Sequence, residues 1–202
     1  MKKNVTLFLI ITLFAYACSS KPPKKNPELG KNPETAQVAP PVSTPSIEAK
    51  QLANEQETSL VTEFDFKKGS ETLNSASKKK LEELSKEALK KGKIEVIKVI
   101  TWADQNYPSP KKKVLPSDQV ALANNRNTEI KNYLKKMYPN QDVSGKIELI
   151  SMAERPSFYN KLFSSDDARI KRSLETSGIN SESKNGVSGK KSRSIVIIKL
   201  KQ

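Results

Sequence analysis

Between Ser19 and Ser59 the chain has no aromatic residue and carries seven of its twelve prolines, from Pro22 to Pro45. Such a stretch cannot bury enough apolar surface to offset the entropy of ordering it. Folding is therefore expected in residues 61–202 alone, as one compact domain, with residues 18–60 read as a Pro-rich disordered tether. Roughly forty residues of that kind reach about 35 Å as a coil and about 120 Å fully extended. The charge divides at the same place: residues 18–60 hold five Lys and five Glu, whereas residues 61–202 hold 29 Lys and Arg against 17 Asp and Glu. The positive field thus belongs to the folding part and suits an anionic lipid or polymer; nucleic acid, which such charge also suits, is not expected, because an exported chain seldom meets it. The lysine runs 78–80 and 111–113 read first as solvated faces. With no histidine and one cysteine, the chain cannot carry Ser-His-Asp or Cys-His catalysis, an imidazole metal site or an internal disulfide. Of the carboxylates, Asp65, Asp104 and Glu154 are available, but no spacing brings two together, so an enzyme is not expected.

Lys2 and Lys3 are followed by an apolar run from Val5 to Ala17, with small residues at Ala15 and Ala17 before Cys18. This is the layout of a secretory signal at residues 1–17, too short for the ~20 residues of a spanning helix. The text up to Cys18 also resembles the lipobox of bacterial lipoproteins. That resemblance implies lipid on Cys18, and Ser19 after it implies the outer membrane, with the domain facing the periplasm. More than one acyl chain is needed for stable attachment.

From residue 61 onward strand and helix periods alternate. Val61 to Phe66 has the period of two of a half-buried strand. Asn74 or Ser75 can cap a helix bearing Leu81, Leu84, Ala88 and Leu89 at helical spacing, stopped by Gly92. Ile94 to Thr101 reads as a central strand, with Ile94, Val96, Lys98 and Ile100 on one face and Glu95, Ile97, Val99 and Thr101 on the other. Residues 106–116 contain three prolines and form a loop. Ser117 is placed to cap a second helix to about Met137, with Val120, Ala123, Ile130, Leu134 and Met137 as its buried stripe. Lys146 to Met152 is a third strand. A weaker helical stretch starts at Pro156, breaks near Ser164 to Asp166 and carries Ile170 and Leu174. Residues 176–192 form a loop, and Ile195 to Ile198 the last strand. The order is β-α-β-α-β-(α)-β, an α/β (α+β) fold in which helices pack on a small mixed sheet.

That order, with Glu63-Phe64-Asp65-Phe66 at its start and Glu154 and Pro156 after the third strand, resembles the OmpA-like peptidoglycan-binding domain of peptidoglycan-associated lipoproteins, over residues 61–202. In that family a Gly-His-Thr-Asp segment ends the second strand, where this chain has Thr101-Trp102-Ala103-Asp104. An Asn-x-x-Leu-Ser-x-x-Arg-Ala-x-x-Val segment follows on the helix, where this chain runs from Gln119 through Leu122, Ala123 and Arg126 to Ile130. The resemblance implies that Asp104 accepts the ammonium, and Arg126 grips the carboxylate, of diaminopimelate in a peptidoglycan stem peptide. Arg193, before the last strand, is a weaker third candidate. Trp102 and Glu154 read as structural. No cofactor is implied. The implied function is an outer-membrane lipoprotein that ties the envelope to peptidoglycan non-covalently; the alternative is an OmpA-like lipoprotein that does not bind peptidoglycan and works in assembly or adhesion through its basic surface.

Overall fold

The computed structural model describes residues 44–139, 143–157, 165–176 and 191–202. The signal segment, Cys18, the tether up to residue 43 and nearly all of the 176–192 loop lie outside them. The described residues form a mixed α/β fold: β1 (Val61–Asp65), β2 (Ile94–Thr101), β3 (Ile147–Ser151) and β4 (Arg193–Leu200), with helices α1 (Ile47–Glu55), α2 (Ser75–Lys91), α3 (Ser117–Met137) and α4 (Asp166–Thr176). The sheet order is β1-β4-β2-β3, so the last strand lies inside it. β4 is antiparallel to both neighbours, and β2 and β3 run parallel, joined through α3. At the β1 edge, Lys80 of α2 donates its ammonium to the Glu63 carbonyl at 2.8 Å, which blocks a group that another strand could pair with.

Both sheet faces are covered. On one, α2 and α3 bury Leu81, Leu84, Ala88, Ile130 and Leu134 against Phe64, Ile97, Val99, Val196 and Ile198. On the other, α1 and α4 bury Ala49, Leu52, Ala53, Ile170 and Leu174 against Ile100, Trp102, Ile195 and Ile197. Lys98 also lies on this second face, buried, with its ammonium 2.6 Å from Asp166 and 3.3 Å from Glu148. A charge in a central strand is tolerated because two carboxylates meet it. Ile94 departs from the expected alternation. A register shift between Ile94 and Val96 inserts a bulge, which returns Ile94 to the face of Ile97 and Val99.

The helix boundaries follow local chemistry. Asn74 accepts from the Ser77 N–H at 2.8 Å, and Gly92 ends α2 with its N–H on the Ala88 carbonyl at 3.1 Å. Leu89, expected inside, is 44% exposed. α3 starts differently from expectation: Pro116 holds the N-cap position, Ser117 is the first helical residue, and no side chain caps the helix. The Pro116 carbonyl opens the ladder by accepting from Gln119 and Val120. Val120 and Met137 are half-buried, and the fully buried stripe is Leu122, Ala123, Arg126, Asn127, Ile130 and Leu134. The 106–116 loop is pinned: Arg155 donates to the Pro108 carbonyl at 2.6 Å and stacks on Tyr107 at 4.9 Å, while Val114 bridges to Glu154.

The tether expected to run to residue 60 ends earlier. Ser46 accepts from the Ala49 N–H at 3.2 Å and opens α1, whose Ala49, Leu52 and Ala53 are fully buried. The composition of this segment is too polar for a core of its own, but three small apolar side chains are enough to complete a core supplied by the sheet. A chain starting at Gln56 should therefore unfold at a lower denaturant concentration than one starting at Thr44. Its single tryptophan, Trp102, should emit at longer wavelength in the native state, because α1 no longer covers that face. Coincident denaturation curves and spectra would show that α1 contributes nothing.

Candidate ligand-binding site

β2 ends at Thr101, and the chain continues beside the start of β4: Trp102 donates its N–H to the Arg193 carbonyl at 3.0 Å and Ser192 donates to the Ala103 carbonyl at 2.8 Å. This carries Asp104 just past the sheet. α3 sets Arg126 below it, and the turn between β1 and α2 wraps over both. The guanidinium of Arg126 has no solvent exposure. Its Nε donates to the Ser70 carbonyl at 2.8 Å, Nη1 to the Trp102 carbonyl at 2.9 Å, and Nη2 to the Lys67 carbonyl at 3.3 Å and to Asp104 at 2.7 Å. Phe66 closes one side of the plane, 4.8 Å from ring centre to guanidinium carbon. The two residues expected to share a site thus meet as a buried ion pair.

Asp104 is held as firmly. Besides Arg126, its carboxylate accepts from the Gly69 N–H at 2.5 Å and from the Ser192 hydroxyl at 2.6 Å, and its own N–H donates to the Gln119 side chain at 3.1 Å. Gly69 sits at φ +71°, where a side chain is strained, and Ser192 adopts φ +53° without being glycine. Among the described residues nothing lies within 4 Å of where a Cβ on Gly69 would sit. Asp104 keeps 8% of its side chain exposed, and Arg126 keeps none. A ligand therefore meets Asp104 first, and meets Arg126 only if the 67–70 turn shifts.

Arg193 is not part of this site. In β4 it shares a face with Ile195 and Ile197, on the α1 and α4 side, while Ser194 points the other way to pair with Thr101 at 2.6 Å. Its guanidinium stacks on Trp102 at 4.4 Å and pairs with Glu63. Burial draws its pKa below the ordinary arginine value, against the opposing pull of Glu63. Trp102 is a packing residue, 1% exposed. The residues that complete the site and were not expected are Phe66, Gly69, Ser70 and Ser192. Of these, Phe66 stands in the Glu63 to Phe66 segment and Gly69 is the glycine of a Lys-Lys-Gly-Ser turn, signals that mark a strand end and a turn without marking a site.

No family model matches the chain. No curated protein matches it either. Among solved structures it is similar to the OmpA-like domain of FopA1 from Francisella tularensis subsp. tularensis SCHU S4. The likeness has 14% identity and a TM-score of 0.37, over 70% of this chain and 75% of that one.

The environment of Asp104 carries a pH signature. Burial alone would raise its pKa, but the hydrogen bonds from Ser192, Gly69 and Arg126, with the charge of Arg126, outweigh it and hold the carboxyl below the usual aspartate value. A group depressed in the folded state stabilises the fold above its unfolded pKa of about 3.9 and loses that contribution as the pH falls through the folded value. Denaturant midpoints of the wild type should therefore drop below about pH 4 more steeply than those of Asp104→Asn. Equal slopes for the two would remove Asp104 as the source.

Proposed function

We propose that this chain is a lipid-anchored envelope protein whose domain binds the diaminopimelate-type stem peptide of peptidoglycan without forming a covalent bond. The observation that carries the reading is the meeting of Asp104 and Arg126, 22 residues apart in sequence, in one ion pair at the end of β2. An amino acid terminus presents an ammonium and a carboxylate side by side, and each can take one half of such a pair. The ammonium takes the acceptor oxygens of Asp104, and the carboxylate takes the planar fork of Arg126. The exchange is near balance in charge, because one ion pair becomes two. For the ligand to reach Arg126 the 67–70 turn shifts, so the bonds of Arg126 to the Lys67 and Ser70 carbonyls open together with the hold of Gly69 and Ser192 on Asp104.

A second reading is favoured by the burial of Arg126, whose guanidinium is bonded to three backbone carbonyls and to Asp104. On it the pair is a brace, and the basic surface makes the functional contact, as in an OmpA-like lipoprotein that does not bind peptidoglycan. Salt and substitution separate the two. Long-range attraction weakens as the Debye length falls from ~10 Å at 0.1 M to ~3 Å at 1 M, whereas a partly buried pocket holds. Purified sacculi should retain the wild type at 1 M salt, and Asp104→Asn, with its fold checked by circular dichroism, should bind roughly ten- to a hundredfold more weakly, the loss of one charge-assisted hydrogen bond of ~1.5–3 kcal/mol. Retention that disappears with salt and ignores Asp104→Asn supports the brace.

The anchor is proposed on Cys18, the single cysteine, directly after the apolar run. It would hold the chain at the outer membrane with the domain in the periplasm. Mass spectrometry of the mature N-terminus should find Cys18 first and acylated. An unmodified Cys18, or one still preceded by residues 1–17, removes the lipoprotein part of the proposal and leaves the binding part standing.

A further inference from the structure

Beneath α1 lies a polar pair that the apolar core of that face does not call for. Arg193 is 1% exposed, stacked on Trp102 and paired with Glu63, yet its Nε and Nη2 have no hydrogen-bond partner among the described residues. The other oxygen of Glu63 accepts from the backbone N–H of Ser46, the N-cap of α1, at 3.0 Å. One carboxylate therefore links the guanidinium under the helix to the residue that caps the helix. At the far end, the Ser173 hydroxyl of α4 donates to Glu55 at 2.5 Å. Between these polar points the grip is Ala49, Leu52 and Ala53.

We infer that α1 is a releasable strap over the Arg193–Trp102 pair, opening while the rest of the domain stays folded. A helix of nine residues is shorter than the ~12–15 needed for even marginal stability off a surface, so it persists only while docked. Its apolar hold is one leucine and two alanines, whereas α2 and α3 each bury a longer stripe that includes two or more large side chains. Glu48, in the first turn of α1, adds its attraction to that of Glu63 on Arg193, so the polar hold on Arg193 is gathered at the N-terminal end of the strap. The Nε and Nη2 N–H groups beneath it, without partners among the described residues, gain water when it lifts. Thin apolar contact above an under-satisfied charge is where local opening is least costly. The Asp104–Arg126 pair, on the other side of the sheet, keeps all its contacts when α1 leaves. Because α1 joins the domain to everything before residue 44, any pull on that segment reaches the strap before it reaches a strand.

Hydrogen exchange on the full chain tests this. The amides of residues 50–55 should exchange at least tenfold faster than those of residues 81–88 in α2 and 130–134 in α3. Glu63→Gln, which weakens the link to both Arg193 and Ser46, should speed α1 exchange at least threefold further and leave α2 unchanged. Acrylamide quenching of the single tryptophan should rise in the same variant, since the strap covers Trp102. Exchange of α1 at the rate of α2 in the wild type overturns the inference outright, and that comparison stands even if Glu63→Gln fails to fold. Faster α1 exchange with unchanged quenching also overturns it, because the helix would then open without uncovering the pair.

Discussion

A guanidinium taken out of water must find its hydrogen-bond partners in the chain, and Arg126 finds them in three separate places. Its acceptors are the carbonyls of Lys67 and Ser70 in the turn after β1, the carbonyl of Trp102 past the end of β2, and the Asp104 carboxylate. Four points on a rigid plane leave little freedom, so the turn, the strand end and α3 are fixed together. Ser192, bonded to Asp104, adds the start of β4. Losing one partner of a buried ion pair costs about 3–5 kcal/mol, a large share of what holds a domain of this size together. The same bonds close the guanidinium off, so that nothing reaches Arg126 unless the 67–70 turn moves.

The basic character of the domain is less uniform than its composition suggests. Lys98 and Lys171 are buried against carboxylates, and the ammonium groups of Lys80 and Lys146 are spent on strand carbonyls. These cations hold the fold and contribute little to attraction at a distance. Lys111, Lys112 and Lys113 do stand exposed, consistent with a solvated face. Within the 78–80 run, however, Lys80 seals the β1 edge, so adjacent lysines have different work.

Much of the fold was legible because it rests on period. Alternation at Val61 to Phe66, the Ile and Val run at 94–101 and the helical spacing before Gly92 and after Ser117 each follow from local sequence, and each element lies where its period puts it. Asp104 and Arg126 were legible by residue type, through a resemblance, and their contact is something only the folded chain displays. α1 is hard to read from sequence for a physical reason: with only Ala49, Leu52 and Ala53 as its buried residues, it cannot form a core, and its stability comes from a sheet encoded far away. Arg193 was placed in the wrong neighbourhood because its side of β4 depends on register, and one residue of register exchanges the faces. Gly69 and Ser192 depend on backbone shapes set by tertiary contacts, which no local pattern records.

The position of β4 has a consequence for how the chain comes to be folded. β4 lies between β1 and β2, and its register pairs Val61 with Ile197 across nearly the whole domain. β1 and β2 are not paired with each other and meet only through β4, so the sheet cannot close while the chain is being made from its N-terminal end. Assembly waits for the last residues, and pairings of such long sequence separation are slow to form. The chain thus becomes compact only once all of it has been made. It also means that a late stop codon, placed just after Ser192, would dissolve the centre of the molecule and not its margin.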